Sequence, residues 1–155
     1  MMKRILAALA LCAAACDASA YCVYNGIRDR SVSVVQEDHP ERSREDRKLN
    51  VTLKPGQSTC CNFYNLDCNP GGREEAVVGL AISIVEEPDV KCGLPGGRYK
   101  EHLVSVTGTG SLRVLPNPRT KNVTAPYVVR ARARDGKDLS GPAGIACRKP
   151  TKENP

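Results

Sequence analysis

Two histidines, His39 and His102, are the side chains of this sequence best suited to proton transfer near neutral pH. Each stands beside a carboxylate, and a histidine paired with a carboxylate suits general acid/base catalysis, as in a small secreted ribonuclease. His39, however, lies in the segment 37–48, where acids and bases alternate with almost nothing apolar. Such a segment is typical of a solvated loop, in which catalytic geometry is hard to hold. We therefore predict that both histidines are surface residues.

Other catalytic motifs do not occur in the sequence. No serine stands in a G-x-S-x-G context, and there is no H-E-x-x-H motif. We predict a protein without catalytic residues, metal or cofactor. The alternatives are a small basic hydrolase, such as a ribonuclease, and a toxin or inhibitor.

Three arginines, Arg130, Arg132 and Arg134, alternate with alanines. On a strand their guanidinium groups line one face, which suits sulfate, carboxylate or phosphate ligands. The alternative is a charged outer face that protects a strand from edge pairing. A neighbouring strand that pairs beside this one would extend the row with Arg113, Arg119 and Lys121.

Aromatic side chains are scarce, with no Trp, one Phe and five Tyr. Nucleic acids and sugars both stack on aromatic platforms, so we predict no nucleic-acid partner and no lectin activity. Tyr24, Phe63 and Tyr64 could form a small cluster near Cys60. The formal charge of +6 favours anionic surfaces, and the alternative is that it only keeps a secreted protein soluble. The expected partner is an extracellular protein or an anionic polysaccharide or surface.

The eight cysteines indicate an oxidising compartment. Residues 1–20 resemble a signal peptide, with a basic start, an apolar run to about Cys16 and small residues up to Ala20. Cleavage after Ala20 leaves an even number of cysteines, which predicts three disulfides in a secreted protein. Lipidation at Cys12 or Cys16 is the alternative. The remaining cysteines are Cys22, Cys60, Cys61, Cys68, Cys92 and Cys147.

Cys60 and Cys61 constrain the pairing because they are adjacent. On a strand they point to opposite faces, so we expect them to take different partners. One is expected to pair with Cys68, and the other with Cys22, Cys92 or Cys147. A zinc site is the rival interpretation, but no C-x-x-C pair is present.

Apolar residues recur with a period of two, which predicts strands. The longest run places Val78, Leu80, Ile82 and Ile84 on one face, and shorter runs follow with turn residues between them. About seven such strands predict a single all-β domain over residues 21–150, an antiparallel β-sandwich or small barrel stabilised by about three disulfides. Residues 151–155 are expected to be a flexible tail. No apolar run reaches the ~20 residues of a transmembrane helix.

Two N-x-[ST] sequons occur, at Asn50 and at Asn122, and both are candidate glycosylation sites. Asn50 falls on the polar side of its predicted strand, where an acceptor must lie.

The block from Pro55-Gly56-Gln57-Ser58 through Cys60-Cys61-Asn62 to Asp67-Cys68-Asn69-Pro70 resembles small cysteine-rich secreted proteins of fungi. The likeness covers some 16 residues. It implies secretion, with an effector-like or cell-surface role, and it implies no catalytic residues.

Overall fold

Strand β5 (Val77–Ile84) shows most plainly which side of the sheet faces inward. In the computed structural model, which describes residues 20–37, 49–93, 103–119 and 125–149, its alternate residues are buried as the period of two predicts. Val78, Leu80, Ile82 and Ile84 all lie in the core. The residues between them face outward and are partly exposed.

Ten strands and no helix form from the described residues, so the predicted all-β class is confirmed. About seven strands were expected. The additional strands lack a clear alternation. β1 (AYCVYN) is buried at consecutive residues, and β6 (EPDVKC) is mostly polar. The strands are β1 (Ala20–Asn25), β2 (Val32–Gln36), β3 (Asn50–Leu53), β4 (Ser58–Asn62), β5 (Val77–Ile84), β6 (Glu87–Cys92), β7 (Leu103–Thr107), β8 (Ser111–Pro116), β9 (Tyr127–Arg132) and β10 (Ile145–Arg148).

One mixed sheet contains all ten strands, in the order β3-β2-β5-β6-β10-β9-β8-β1-β4, with β7 paired to β5. The sheet curls into a nearly closed barrel, the second of the two predicted forms. Its end strands β3 and β4 are consecutive and joined by a tight turn at residues 54–57. All described strand pairs are antiparallel except β1 and β8, which run parallel. The sequence pattern did not predict this parallel pair, because alternation alone carries no strand direction.

Asn25 at the end of β1 connects the strand to the far edge of the sheet. The residue is buried, and its Nδ2 donates to the carbonyl oxygens of Arg30 (2.8 Å) and Leu53 (2.9 Å). Its Oδ1 accepts from the Ile27 amide at 2.9 Å. A buried amide with both ends satisfied stabilises the fold where a lone polar group would destabilise it. Asn25 thereby holds the end of β1 against β3.

Three disulfides staple the barrel. Cys22 and Cys60 lie opposite each other on β1 and β4, with Cα atoms 4.1 Å apart, and Cys92 and Cys147 lie opposite each other on β6 and β10 at 3.8 Å. Cys61 bonds Cys68 across a short loop, with a Cα separation of 6.0 Å. The prediction that Cys60 and Cys61 take different partners, one of them Cys68, is confirmed. The rival zinc interpretation is wrong, because these thiols are bonded in pairs.

Several predicted features lie outside the described residues. They are the signal peptide apart from Ala20, the tail at residues 151–155, His39, His102, Lys121 and Asn122. Within the described ranges, no helix long and apolar enough to cross a membrane is present.

The exposure of the cysteine residues predicts the order in which the disulfides are reduced. Cys22–Cys60 and Cys92–Cys147 share the same cross-strand arrangement, but Cys60 is exposed whereas Cys92 and Cys147 are fully buried. Because a reducing thiolate must reach a sulfur atom, we expect graded reduction of the native protein to open Cys22–Cys60 first. Alkylation followed by peptide mass spectrometry measures this order. Earlier labelling of Cys92 and Cys147 would contradict it.

Candidate functional site

The outward side of strands β4, β1, β8 and β9 carries the arginines that the sequence singled out. The strand registers place these residues in two adjacent rows that cross the four strands. We call this surface the arginine face. The first row is Ser58, Tyr24, Arg113 and Arg130, and the second is Cys60, Cys22, Ser111 and Arg132.

Arg113 joins the row as predicted, because β8 pairs beside β9 and places it directly opposite Arg130. Its guanidinium carbon stands 5.1 Å from the centre of the Tyr24 ring on β1. Cation–π contact of this kind holds a guanidinium near the surface without removing its charge. Arg119 does not join the row. It follows Pro116, which pairs with Tyr127 at the other end of the barrel, so that extension was wrong.

Arg130 is engaged with the loop at residues 138–144. One terminal nitrogen donates to the Gly141 carbonyl at 2.7 Å and the other to the Pro142 carbonyl at 3.0 Å. The first nitrogen also lies 3.5 Å from the Asp138 carboxylate. Since both of its terminal nitrogens donate within the protein, Arg130 positions this loop and is less available to a ligand than Arg113 or Arg132.

Asp138 is the acid nearest to the arginine face. The Ser140 hydroxyl and amide both donate to its carboxylate, and these hydrogen bonds, followed by the nearby Arg130 and Arg132, hold the pKa of Asp138 below its ordinary value. Asp138 is therefore charged at neutral pH and lies beside β9, where it pairs with Arg132 through a backbone bridge. Its negative charge compensates one positive charge of the arginine face, and it does not compensate the other arginines.

Arg134 lies beyond the end of β9, so the predicted row of three is a row of two on the strand itself. Its guanidinium pairs with the Glu74 carboxylate at 2.6 Å. Glu74 belongs to residues 61–76, which we call the stapled loop because the Cys61–Cys68 bond closes its first half. Arg134 thus ties the end of the arginine face to the stapled loop.

Asn69 organises the stapled loop from within. The residue is fully buried, and its Nδ2 donates to the carbonyls of Phe63 and Arg73, both at 3.0 Å. Its Oδ1 accepts no hydrogen bond from the described residues. Gly108 of the β7–β8 turn packs on it so closely that a Cβ there would stand 2.8 Å from Nδ2 and 2.6 Å from the Arg73 oxygen. Sequence reasoning met Asn69 as part of the Asp67-Cys68-Asn69-Pro70 block and missed this role.

Tyr21 supports the same loop from the core. Its hydroxyl donates to the Cys68 carbonyl at 3.0 Å, and burial raises the pKa of this phenol above its usual range. The loop displays Tyr64 (72% exposed) and Leu66 (51% exposed) at the surface. Phe63 is buried with its ring centre 4.1 Å from that of Tyr64, while Tyr24 contacts Arg113 instead. Of the expected aromatic cluster, only the Phe63–Tyr64 contact forms.

A second group of charges lies at the opposite end of the barrel, around Glu87. Its carboxylate accepts a hydrogen bond from the Tyr127 hydroxyl at 3.1 Å and lies 3.5 Å from the Lys149 ammonium and 3.7 Å from Arg30 Nε. Burial, followed by the bond to Glu87, raises the pKa of Tyr127. The described residues contain no group of three His, Cys, Asp or Glu side chains placed to hold a metal ion.

Comparison of the chain with protein-family models, with curated proteins and with solved structures finds no match in any of the three. The function must therefore be argued from the geometry of this chain alone.

The contacts of Arg130 predict that it stabilises the fold whereas Arg132 does not. We expect Arg130→Ala to lower the free energy of unfolding by about 2 kcal/mol, because charge-assisted hydrogen bonds to two loop carbonyls are lost. Arg132→Ala removes the same charge from an exposed position and should change stability by about 0.5 kcal/mol or less. Urea unfolding measures both. Equal effects of the two changes would contradict the positioning role.

Proposed function

We propose that this protein acts outside the cell, without catalysis, by binding anionic groups of an extracellular polymer or surface through the arginine face. The observation that carries the proposal is the state of Arg113 and Arg132. Both are exposed, and neither forms an ion pair or a side-chain hydrogen bond with any residue that the structure describes.

The geometry of these two arginines suits a repeating anionic ligand. They are diagonal neighbours on the adjacent strands β8 and β9, which places their Cα atoms about 7–8 Å apart. Both stand on a rigid sheet, and guanidinium groups bind sulfate, carboxylate and phosphate through paired hydrogen bonds. Arg113 is further oriented by Tyr24, and Arg132 lies next to the arginine that holds the 138–144 loop. The site is therefore prepared before any ligand arrives.

The disulfides support the extracellular part of the proposal. The described residues form three disulfides, and in a chain with no Trp and one Phe these bonds stabilise a barrel whose core is mainly aliphatic. Such bonds persist in oxidising compartments and are rare where thiols are kept reduced. The predicted signal peptide at residues 1–20 and the resemblance to fungal cysteine-rich proteins point to the same location, with an effector-like or cell-surface role.

The test compares two double variants of equal charge. Arg113→Ser with Arg132→Ser removes both unpaired arginines, whereas Arg28→Ser with Arg148→Ser removes two exposed arginines from the other end of the barrel. We expect the first to lower the affinity for a sulfated polysaccharide about tenfold, or about 1.4 kcal/mol. The second should lower it much less, although the net charge is the same.

Calorimetric titration at two salt concentrations provides the measurement, and circular dichroism verifies folding of both variants. Equal losses for the two variants would mean that net charge alone attracts the polymer. That result would remove the arginine face as a site.

A hydrolase remains the second candidate because of the charges around Glu87. A carboxylate with a tyrosine hydroxyl, a lysine and an arginine at its oxygens is the described group closest to an acid–base site. Under our proposal this group is structural. Arg30 also pairs with the Asp29 carboxylate at 3.1 Å, so that two cations and two carboxylates balance.

We therefore expect no cleavage of RNA or acidic polysaccharide by the wild-type protein above the background of a buffer control. His39→Ala with His102→Ala, and separately Glu87→Gln, should leave that baseline unchanged. A wild-type activity that either change abolishes would replace the binding proposal with the hydrolase. Gel and reducing-sugar assays across pH 5–8, the range in which histidine titrates, provide the readout.

A further inference from the structure

The outward side of strands β3, β2, β5 and β7 carries no charge within the strands themselves. Glu37, whose amide donates to the Gly79 carbonyl at 3.1 Å just past the end of β2, is an exposed charge at its border. About a quarter of the chain is charged (26%), yet none of the outward residues of these four strands is ionisable. We call this surface the neutral face. Its residues are Ser33, Val35, Asn50, Thr52, Val77, Gly79, Ala81, Ser83, Leu103, Ser105 and Thr107.

One row of the neutral face is apolar and begins at a sequon. Asn50 on β3 lies directly opposite Val35 on β2, Val35 lies opposite Ala81 on β5, and Ala81 lies opposite Leu103 on β7. With neighbouring strands about 4.8 Å apart, this row extends about 14 Å from the asparagine. Val35, Ala81 and Leu103 are each partly exposed.

Asn50 is placed for modification from the edge of the sheet. β3 is an end strand in the sheet order, and the side chains of Asn50 and Thr52 are both exposed on its outward side. An extended strand brings residues i and i+2 to the same side, so the acceptor amide and the threonine hydroxyl of the sequon face the same solvent. The other sequon, at Asn122, lies outside the described residues.

We propose that Asn50 carries an N-linked glycan whose first sugars lie along the row Val35–Ala81–Leu103. The N-acetyl methyl groups and ring C–H faces of these sugars are apolar and cover the aliphatic side chains, while their hydroxyls face water and the Ser and Thr side chains alongside. The glycan supplies the neutral face with the solubility that charges supply elsewhere. It also covers the exposed edge of β3, which otherwise invites pairing with another chain.

The inference rests on the proposed extracellular location, since this glycan is added on the secretory route. The two are tested separately, because expression in a eukaryotic host with that host's own leader supplies the route regardless of residues 1–20. Binding of the deglycosylated protein to sulfated polysaccharide then tests the arginine face independently.

Modification is tested with a matched pair of changes at Thr52. Thr52→Ala destroys the sequon and keeps Asn50, whereas Thr52→Ser keeps the sequon. We expect peptide mapping to find glycan on Asn50 in the wild type and in Thr52→Ser, and none in Thr52→Ala. An unmodified Asn50 in the wild-type protein overturns the proposal.

Packing of the glycan on the apolar row is tested by its effect on stability and association. We expect Thr52→Ala to lower the Tm relative to Thr52→Ser and to promote self-association in size-exclusion chromatography. In the background of Val35→Thr with Leu103→Thr, the Tm difference between the Thr52 variants should fall to less than half. A glycosylated Asn50 whose removal changes neither Tm nor association, or a Tm difference that survives loss of the apolar row, overturns the packing that we propose.

Discussion

The position of β1 between β4 and β8 is the constraint on which the rest of this structure depends. β1 pairs antiparallel with β4 on one side and parallel with β8 on the other. Its inward residue Tyr21 reaches the stapled loop, and its last residue Asn25 reaches the carbonyl of Leu53 on β3. One strand of six residues therefore holds both ends of the barrel and joins the two edges of its sheet. The Cys22–Cys60 bond fixes the register of β1 on β4, which gives the strand little freedom to slip.

That register also determines which side chains share a surface. A shift of one residue exchanges the two faces of a strand, so Tyr24 would turn into the core and Val23 into solvent. Arg113 would then lose its aromatic support. The arginine face, which we propose as a binding surface, therefore depends on the pairing of β4, β1, β8 and β9, and β1 and β8 are far apart in sequence. No short stretch of the sequence contains all of its residues.

The parts of this fold that could be predicted are those with local causes. The alternation in β5 predicted its buried side, and the adjacency of Cys60 and Cys61 predicted that they take different partners, because both depend on the period of two along a strand. Strand β6 could not be predicted because most of its residues are polar or exposed and only Val90 and Cys92 are buried. Strand β10 could not be predicted because it has only four residues and is held in part by β6, whose Cys92 is 55 residues from Cys147. The parallel direction of β1 and β8 was hidden because these two strands come from distant parts of the chain.

The arginine row shows the same limit at the level of the site. Alternation predicted correctly that Arg130 and Arg132 share one side of β9, and pairing with β8 added Arg113. Alternation could not show which of these arginines already form hydrogen bonds or ion pairs within the protein. The loop that accepts hydrogen bonds from Arg130 contains Gly141 and Gly144, and their positive φ angles let it fold back against β9 before β10 begins. Glu74, the partner of Arg134, lies 60 residues away in sequence.

The two outer surfaces of the barrel are opposite in character, and this difference follows from the strands that form them. Strands β8 and β9 place arginines outward, whereas β2, β3 and β5 place Ser, Thr, Gly, Ala and Val outward. The counter-charges of the arginine face, Asp138 and Glu74, lie at its margins and leave Arg113 and Arg132 without an ion pair among the described residues. The strands of the neutral face carry no charge, so under our second proposal the glycan at Asn50 supplies the hydroxyls that keep this surface hydrated. The two proposals thus assign a ligand that dissociates to the arginine face and one that is covalently attached to the neutral face.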